Sequence, residues 1–388
     1  MRMKFSNKQL QAFIISLGIG LGAVSGAAFP LAAAAASPEF ARSQEEWEHL
    51  RDNTLEWYEI PDLVIEYNPS VQKNRAELEK DERRSMDARE VTDWLLSEAD
   101  DYDYLADTAA TGMEGAGYRI MANQLRSQAD SNVTDYEILK LQNELLEKQT
   151  IRTVQNLYLN YYKAISTRDS GSSGIAYLER MAAAAEHRRN VGMATALDVL
   201  AAQESLSNAR AEAVTNEANI GTYRTNLITM CGWAYDAAAE IAPVPEVDPG
   251  FTDSISVEED MAQAQAQSYT LRIDQRKLDN ARAEYPNLVK QYEDQLKSDT
   301  DSFKVSFRGV YDQLIAARFA YTNAVSALQL QQQEVAKGER QYQLGLISLN
   351  EFEGIRNQYV SLDNSCRAAY LDMLSAKAAY EMAKEGVI

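Results

Sequence analysis

The chain has 388 residues, a formal net charge of −20, and only 18 Gly and 8 Pro against 45% hydrophobic residues. So few breakers among many Ala, Leu, Glu and Gln favour helix over strand. So acidic a chain is a poor ligand for nucleic acid or anionic lipid, whose phosphates need clustered Lys and Arg.

Residues 1–36 read as an export signal. Arg2, Lys4 and Lys8 make a basic start, an apolar Gly/Ala-rich run follows from Ala12, and Ala34-Ala35-Ala36 offers small residues for cleavage. Uncleaved, the same run would serve as a membrane anchor. No later run reaches the roughly 18 apolar residues a membrane helix needs.

Residues 37–60 read as a short helix or tether, and Asn68-Pro69 as a helix start. A charged helix is expected from Ser70 to about Ser97, then a solvated acidic turn from Glu98 to Asp103, then helix again over 104–131. Asp135 or Thr134 caps a long helix that runs to Asn190 through the weak stretch 169–174. Gly192 makes a turn, and a return helix runs from Ala194 to Met230, closed by Gly232. Residues 233–256, with Pro243, Pro245 and Pro249, read as an extended linker. A second helical region begins at Val257 and is kinked at Pro286. Asp299–Ser302 reads as a turn with an N-cap. A helix to Tyr342, a turn at Gly345 and a final helix to about Glu385 follow.

Residues 157–232 align with 310–385 without a gap, placing Gly192 on Gly345 and Asp198 on Glu351. This divides the chain into the signal, a first helical repeat (37–232), the linker (233–256) and a second repeat (257–388). Apolar residues alternate steps of four and three, as in Val310, Leu314, Ala317, Tyr321, Ala324 and Leu328. A mean step of 3.5 places such a series on one coiled-coil seam. The expected fold is all-α, with long antiparallel coiled-coil hairpins in two tandem repeats. Cys231 and Cys366 lie at different heights along such a rod, about 27 Å apart at 1.5 Å per residue. They are therefore expected to be free thiols. His49 and His187 have no Ser, Cys or metal-ligand constellation beside them, so neither an enzyme nor a cofactor is expected.

The tip segments NVGMATALDVLAAQESLSNARAEA (from Asn190) and QLGLISLNEFEGIRNQYVSL (from Gln343) resemble those of the TolC family of outer-membrane efflux proteins. The Asn68-Pro69 start, the duplication and the Pro-rich link also fit that family. The resemblance implies one protomer of a trimeric α-barrel acting as a passive conduit for efflux or secretion. It implies that a periplasmic adaptor (membrane fusion protein) and an inner-membrane transporter dock at the tips. On this chain those tips are Gly192, Met193, Ala194 and Thr195, with Gly345, Leu346, Ile347 and Ser348. It also implies that Tyr342 and Glu351, with Asp198 as the first-repeat counterpart, constrict the tunnel. Ile347 and Gly354 depart from the family pattern, standing where a basic partner and a second acid would be.

The family's membrane strands should fall near 100–133 and 296–304, where the sequence offers helix formers and acids instead of alternation. Little or no β-barrel is expected. The chain then belongs to the cell envelope, either outer membrane and periplasm or the outside of a cell lacking an outer membrane. The alternative function is an exported structural coiled coil without transport.

Overall fold

The computed structural model describes residues 44–50 and 52–388. The expected signal lies outside the described residues. Four long helices carry the architecture: α6 (Tyr136–Asn190), α7 (Ala196–Met230), α10 (Val289–Gln343) and α11 (Leu349–Lys384). Helices α6 and α10 are each 55 residues, about 80 Å long at 1.5 Å per residue. They form one layer in the order α7, α6, α11, α10. Among the four long helices each outer one has a single neighbour, α10 packing also on short helices near its start, so toward the tips the layer has two open edges.

The rods are long because nothing in them competes with the helix. Asp135 caps α6 by accepting from the Ile138 N–H at 3.0 Å. Residues 169–174 stay helical, and a methyl at Gly171 or Gly174 would meet nothing within 4 Å. Helix α10 runs unbroken through 299–302, where the sequence suggested a turn. Thr300 instead donates its hydroxyl to the Leu296 carbonyl at 2.7 Å. The interruption lies earlier, at the four-residue turn Tyr285–Leu288 that contains Pro286.

Away from the tips, short helices corner onto the rods. In the first half, α2 (Ile60–Tyr67) meets α3 (Pro69–Glu79) at Asn68, after the short α1 (Gln44–Leu50). In the second half, α8 (Val257–Gln267) meets α9 (Tyr269–Glu284) at Ser268. Asn68 accepts from the Ser70 and Val71 N–H groups and donates to the Met230 carbonyl at 2.8 Å. Both corners sit against a glycine of positive φ. A Cβ on Gly232 would lie 2.3 Å from the Tyr67 Cβ, and one on Gly386 would lie 2.5 Å from the Gln267 carbonyl carbon. Two apolar cores form beneath. One gathers Ile60, Leu63, Val154, Tyr158 and Leu227, and the other Leu271, Phe307, Leu314 and Tyr380.

The charged segment after Asn68 is two helices, α3 and then α4 (Ala88–Asp107), separated by residues 80–87. The acidic residues 98–103 lie inside α4, and α4 pairs with α5 (Gly112–Ala129) as a helical hairpin. Its seam is made of small residues. Ala99 and Ala122 are fully buried, and a Cβ on Gly115 would lie 2.9 Å from the Ala106 carbonyl oxygen. The described residues contain no barrel. The strands are Thr54–Leu55 and Glu240–Ile241, paired in parallel. No described helix is long and apolar enough to cross a membrane. Both cysteines are free and buried, as expected.

The linker becomes a belt across one face of the layer. Arg224 of α7 donates to the Ala239 carbonyl at 2.7 Å. Tyr158 and Tyr162 of α6 donate to the carbonyls of Ala242 and Ile241. Tyr370 of α11 donates to the Pro245 carbonyl and accepts from the Val247 N–H. Arg318 of α10 pairs with Asp253 at 3.0 Å. A proline-rich strand has few N–H donors, so it presents carbonyls, and tyrosine and arginine donors satisfy them.

Candidate functional site: the two helical tips

Both tips follow one construction. At the end of α6, the Met193 N–H reaches the Arg188 carbonyl at 2.7 Å and the Gly192 N–H reaches the Arg189 carbonyl at 3.0 Å. At the end of α10, Leu346 reaches Gln341 at 2.8 Å and Gly345 reaches Tyr342 at 2.9 Å. This paired closure needs a left-handed residue, and φ is +79° at Gly192 and +71° at Gly345. Neither glycine is crowded, so conformation alone selects it.

The return helices start from reciprocal caps. Thr195 accepts from the Asp198 N–H at 3.1 Å, while the Asp198 carboxylate accepts from the Thr195 N–H at 2.7 Å. Ser348 and Glu351 repeat this at 3.3 and 2.7 Å. These backbone bonds, with the cap hydroxyls, hold the Asp198 and Glu351 carboxyls below their ordinary range. Both carboxylates are thus engaged at their own helix starts. Tyr342 stacks on Phe352, with ring centroids 5.5 Å apart and planes 7° apart. The Arg356 guanidinium covers Phe352 at 6.0 Å.

The remaining tip residues are mostly apolar and open to solvent. Met193 is 78% exposed, Leu344 74% and Leu346 69%. Val191, Leu197 and Leu200 are exposed as well, whereas Ala194 and Ile347 are half-buried. The sequence reading passed over Val191, Leu197 and Leu344, although their position beside each glycine marks them. It also passed over a tie between the hairpins. Glu353, one turn past its tip, pairs with Arg180 of α6 at 2.7 Å and with Arg356 at 3.2 Å. This pair bridges α6 and α11 between the two hairpins. No cluster of three or more potential metal ligands occurs among the described residues.

No protein-family model matches the chain, and no curated protein matches it. Solved structures do. The outer membrane channel CmeC of Campylobacter jejuni superposes with a TM-score of 0.53 at 11% identity, covering 88% of both chains. The outer-membrane channel OprN superposes with a TM-score of 0.51 at 12% identity, covering 88% of this chain and 92% of its own. At such identities the likeness concerns fold. The fold is that of the TolC-type channels in their long helical hairpins, without a barrel among the described residues.

Proposed function

We propose that the chain is one protomer of a closed helical conduit in an envelope export system, receiving an adaptor and a transporter at its tips. The observation that carries this reading is the open layer. Its edge helices present apolar residues to solvent at coiled-coil spacing: Leu200 and Val214 on α7, and Val305 and Phe319 on α10, each pair two heptads apart. Phe319 is 55% exposed. Two unlike edges on one layer make a head-to-tail interface, which closes into a ring when the rotation permits. The family resemblance makes that ring a trimer, in which Tyr342, Glu351 and Asp198 would narrow the bore. The exposed Met193, Leu344 and Leu346 suit a partner with apolar pockets.

Two measurements test this. Electron microscopy with mass determination is expected to find a hollow trimer that Phe319→Glu disperses; a stable wild-type monomer would falsify the conduit. Photo-cross-linkers at Ala194 and Ile347 in cells are expected to capture an adaptor or transporter, and capture of neither rejects the docking role. The acidic α4–α5 hairpin favours the second reading, an envelope spacer without transport. That reading gains if the assembly is solid rather than hollow.

A further inference from the structure

The belt crosses all four long helices on one face, so a tunnel closed from this layer must turn the other face inward, or the belt would fill the bore. Helical periodicity identifies that inner face at belt height. On α6, Tyr158 and Tyr162 hold the belt, Ala164 meets α7 through Asn216, and Ser166 meets α11 through Asn364. The side left over carries Thr153 and Asn160. By the same construction α7 turns Asn219 and Asn226 inward, and α10 turns Gln313 and Ala320 inward. Helix α11 contributes Ser365 and Asp372. Each pair is seven residues apart, which keeps it on one side of a supercoil. Of these, Asp372 alone is charged, and Lys163 of α6 neutralises it in an ion pair. Of the other charges at this height, Arg224, Arg318 and the Asp363–Arg367 pair go to the belt side, and Asp312, seven residues before Phe319, goes to the open edge of α10. In a chain of net charge −20 this segregation is specific. Glu212, seven residues before Asn219, marks the tip-side border of the collar.

We infer that, if the chain closes into the conduit proposed above, its wall at this height is a collar of amides and hydroxyls with no net charge, its one acid paired with Lys163, that passes polar solutes of either sign without electrostatic selection. A narrow bore lined by one sign of charge concentrates counter-ions by about 10–10³-fold. A collar without net charge leaves the two signs equal. Selection of cargo then falls to whatever loads the tips.

Substituted-cysteine labelling of the purified oligomer tests this. The background is low: Cys231 is buried with its thiol pushed up to about 12, and burial also raises the Cys366 thiol. Asn219→Cys is labelled with a trimethylammonium-bearing and a sulfonate-bearing methanethiosulfonate, each rate divided by that of the urea-unfolded variant. The expected ratio is within about threefold of one. Adding Asn226→Asp should raise it about tenfold in favour of the cation. A tenfold cation preference in Asn219→Cys alone overturns the neutral collar. A 5-kDa maleimide–polyethylene glycol separates the underlying reading. If it labels Asn219→Cys as fast as the belt-side Glu217→Cys, the inner face is not enclosed and the conduit falls, taking the collar with it. If it is excluded, a charge preference refutes the collar alone.

Discussion

The two halves of the molecule agree at one end and differ at the other. Each has a corner of short helices, a 55-residue rod, a glycine turn with a reciprocal cap, and a return helix ending at a glycine lodged in its corner. Between corner and rod, however, the first half inserts the α4–α5 hairpin, whereas the second makes the turn Tyr285–Leu288. The rods, corners and tips are therefore the shared frame, and the far end is where the chain departs from it. The halves also differ in charge. Counting from their corners, Asn74 in the first half corresponds to Asp274 in the second.

The largest expected effect separates the two kinds of glycine. At Gly232 and Gly386 an alanine would need positive φ and would drive Cβ into backbone or Cβ atoms within 2.3–2.5 Å. Gly386→Ala should cost about 3 kcal/mol, from left-handed strain plus overpacking. At Gly192 or Gly345 only the strain applies, about 1–2 kcal/mol. Urea unfolding measures both. Equal losses at corner and tip would mean that the corners do not anchor the return helices.

Asp274 sharpens the charge difference. Burial, then the neighbouring Asp299 carboxyl, raises its carboxyl to about 6, against the pull of Lys277 at 3.6 Å. Between the ordinary value of 3.8 and about 6, the folded chain holds more protons than the unfolded one, so stability falls as pH rises through that window. Asp274→Asn, which makes the halves alike, should remove this slope and stabilise the chain at pH 7 by about 1 kcal/mol after screening. Melting temperature against pH checks it; an unchanged slope assigns the titration elsewhere.

These particulars mark what was legible in the sequence. The rods and tips were, because a 3.5-residue seam and isolated glycines are local signals. Asp299–Ser302 misled because four good capping residues in a row favour a turn. Leu296 before that stretch and Phe303 and Phe307 after it pack in one core, and this overrides the preference. The acids at 98–103 misled similarly, because Arg126, which pairs with Asp100 and Asp103, arrives from a separate helix. The belt was legible as a linker, but the tyrosines that fasten it lie up to 125 residues away. At the tips, the constriction expected at Glu351 came from the family resemblance, whereas its cap with Ser348 is a contact set by local geometry.

A smaller effect is expected between the hairpins. Arg180 is half-exposed and Glu353 mostly covered, so their pair should couple by about 0.2–1 kcal/mol in a double-mutant cycle. Its removal should also loosen the register of the two tips, seen as faster hydrogen exchange at Val191–Thr195. No coupling would leave the tips independent.

The smallest expected effect tests whether the far end is truly an appendage. The outer part of α4–α5 is held by its own seam and by Arg126 and Arg119, which pair with α4 acids. Its base is tied to the second half by the Tyr285 hydroxyl, which meets Thr92 and the Ala129 carbonyl. Deleting residues 99–122 and closing the hairpin with a short glycine turn spares those ties. Sites without shared partners and more than about 10 Å apart act additively, within about 0.5 kcal/mol. The cost of Gly192→Ala should therefore be the same in the shortened and the full chain to that margin. A larger difference would mean that strain at the far end travels along the rod to the tip, and that the first half is not the second with a hairpin added.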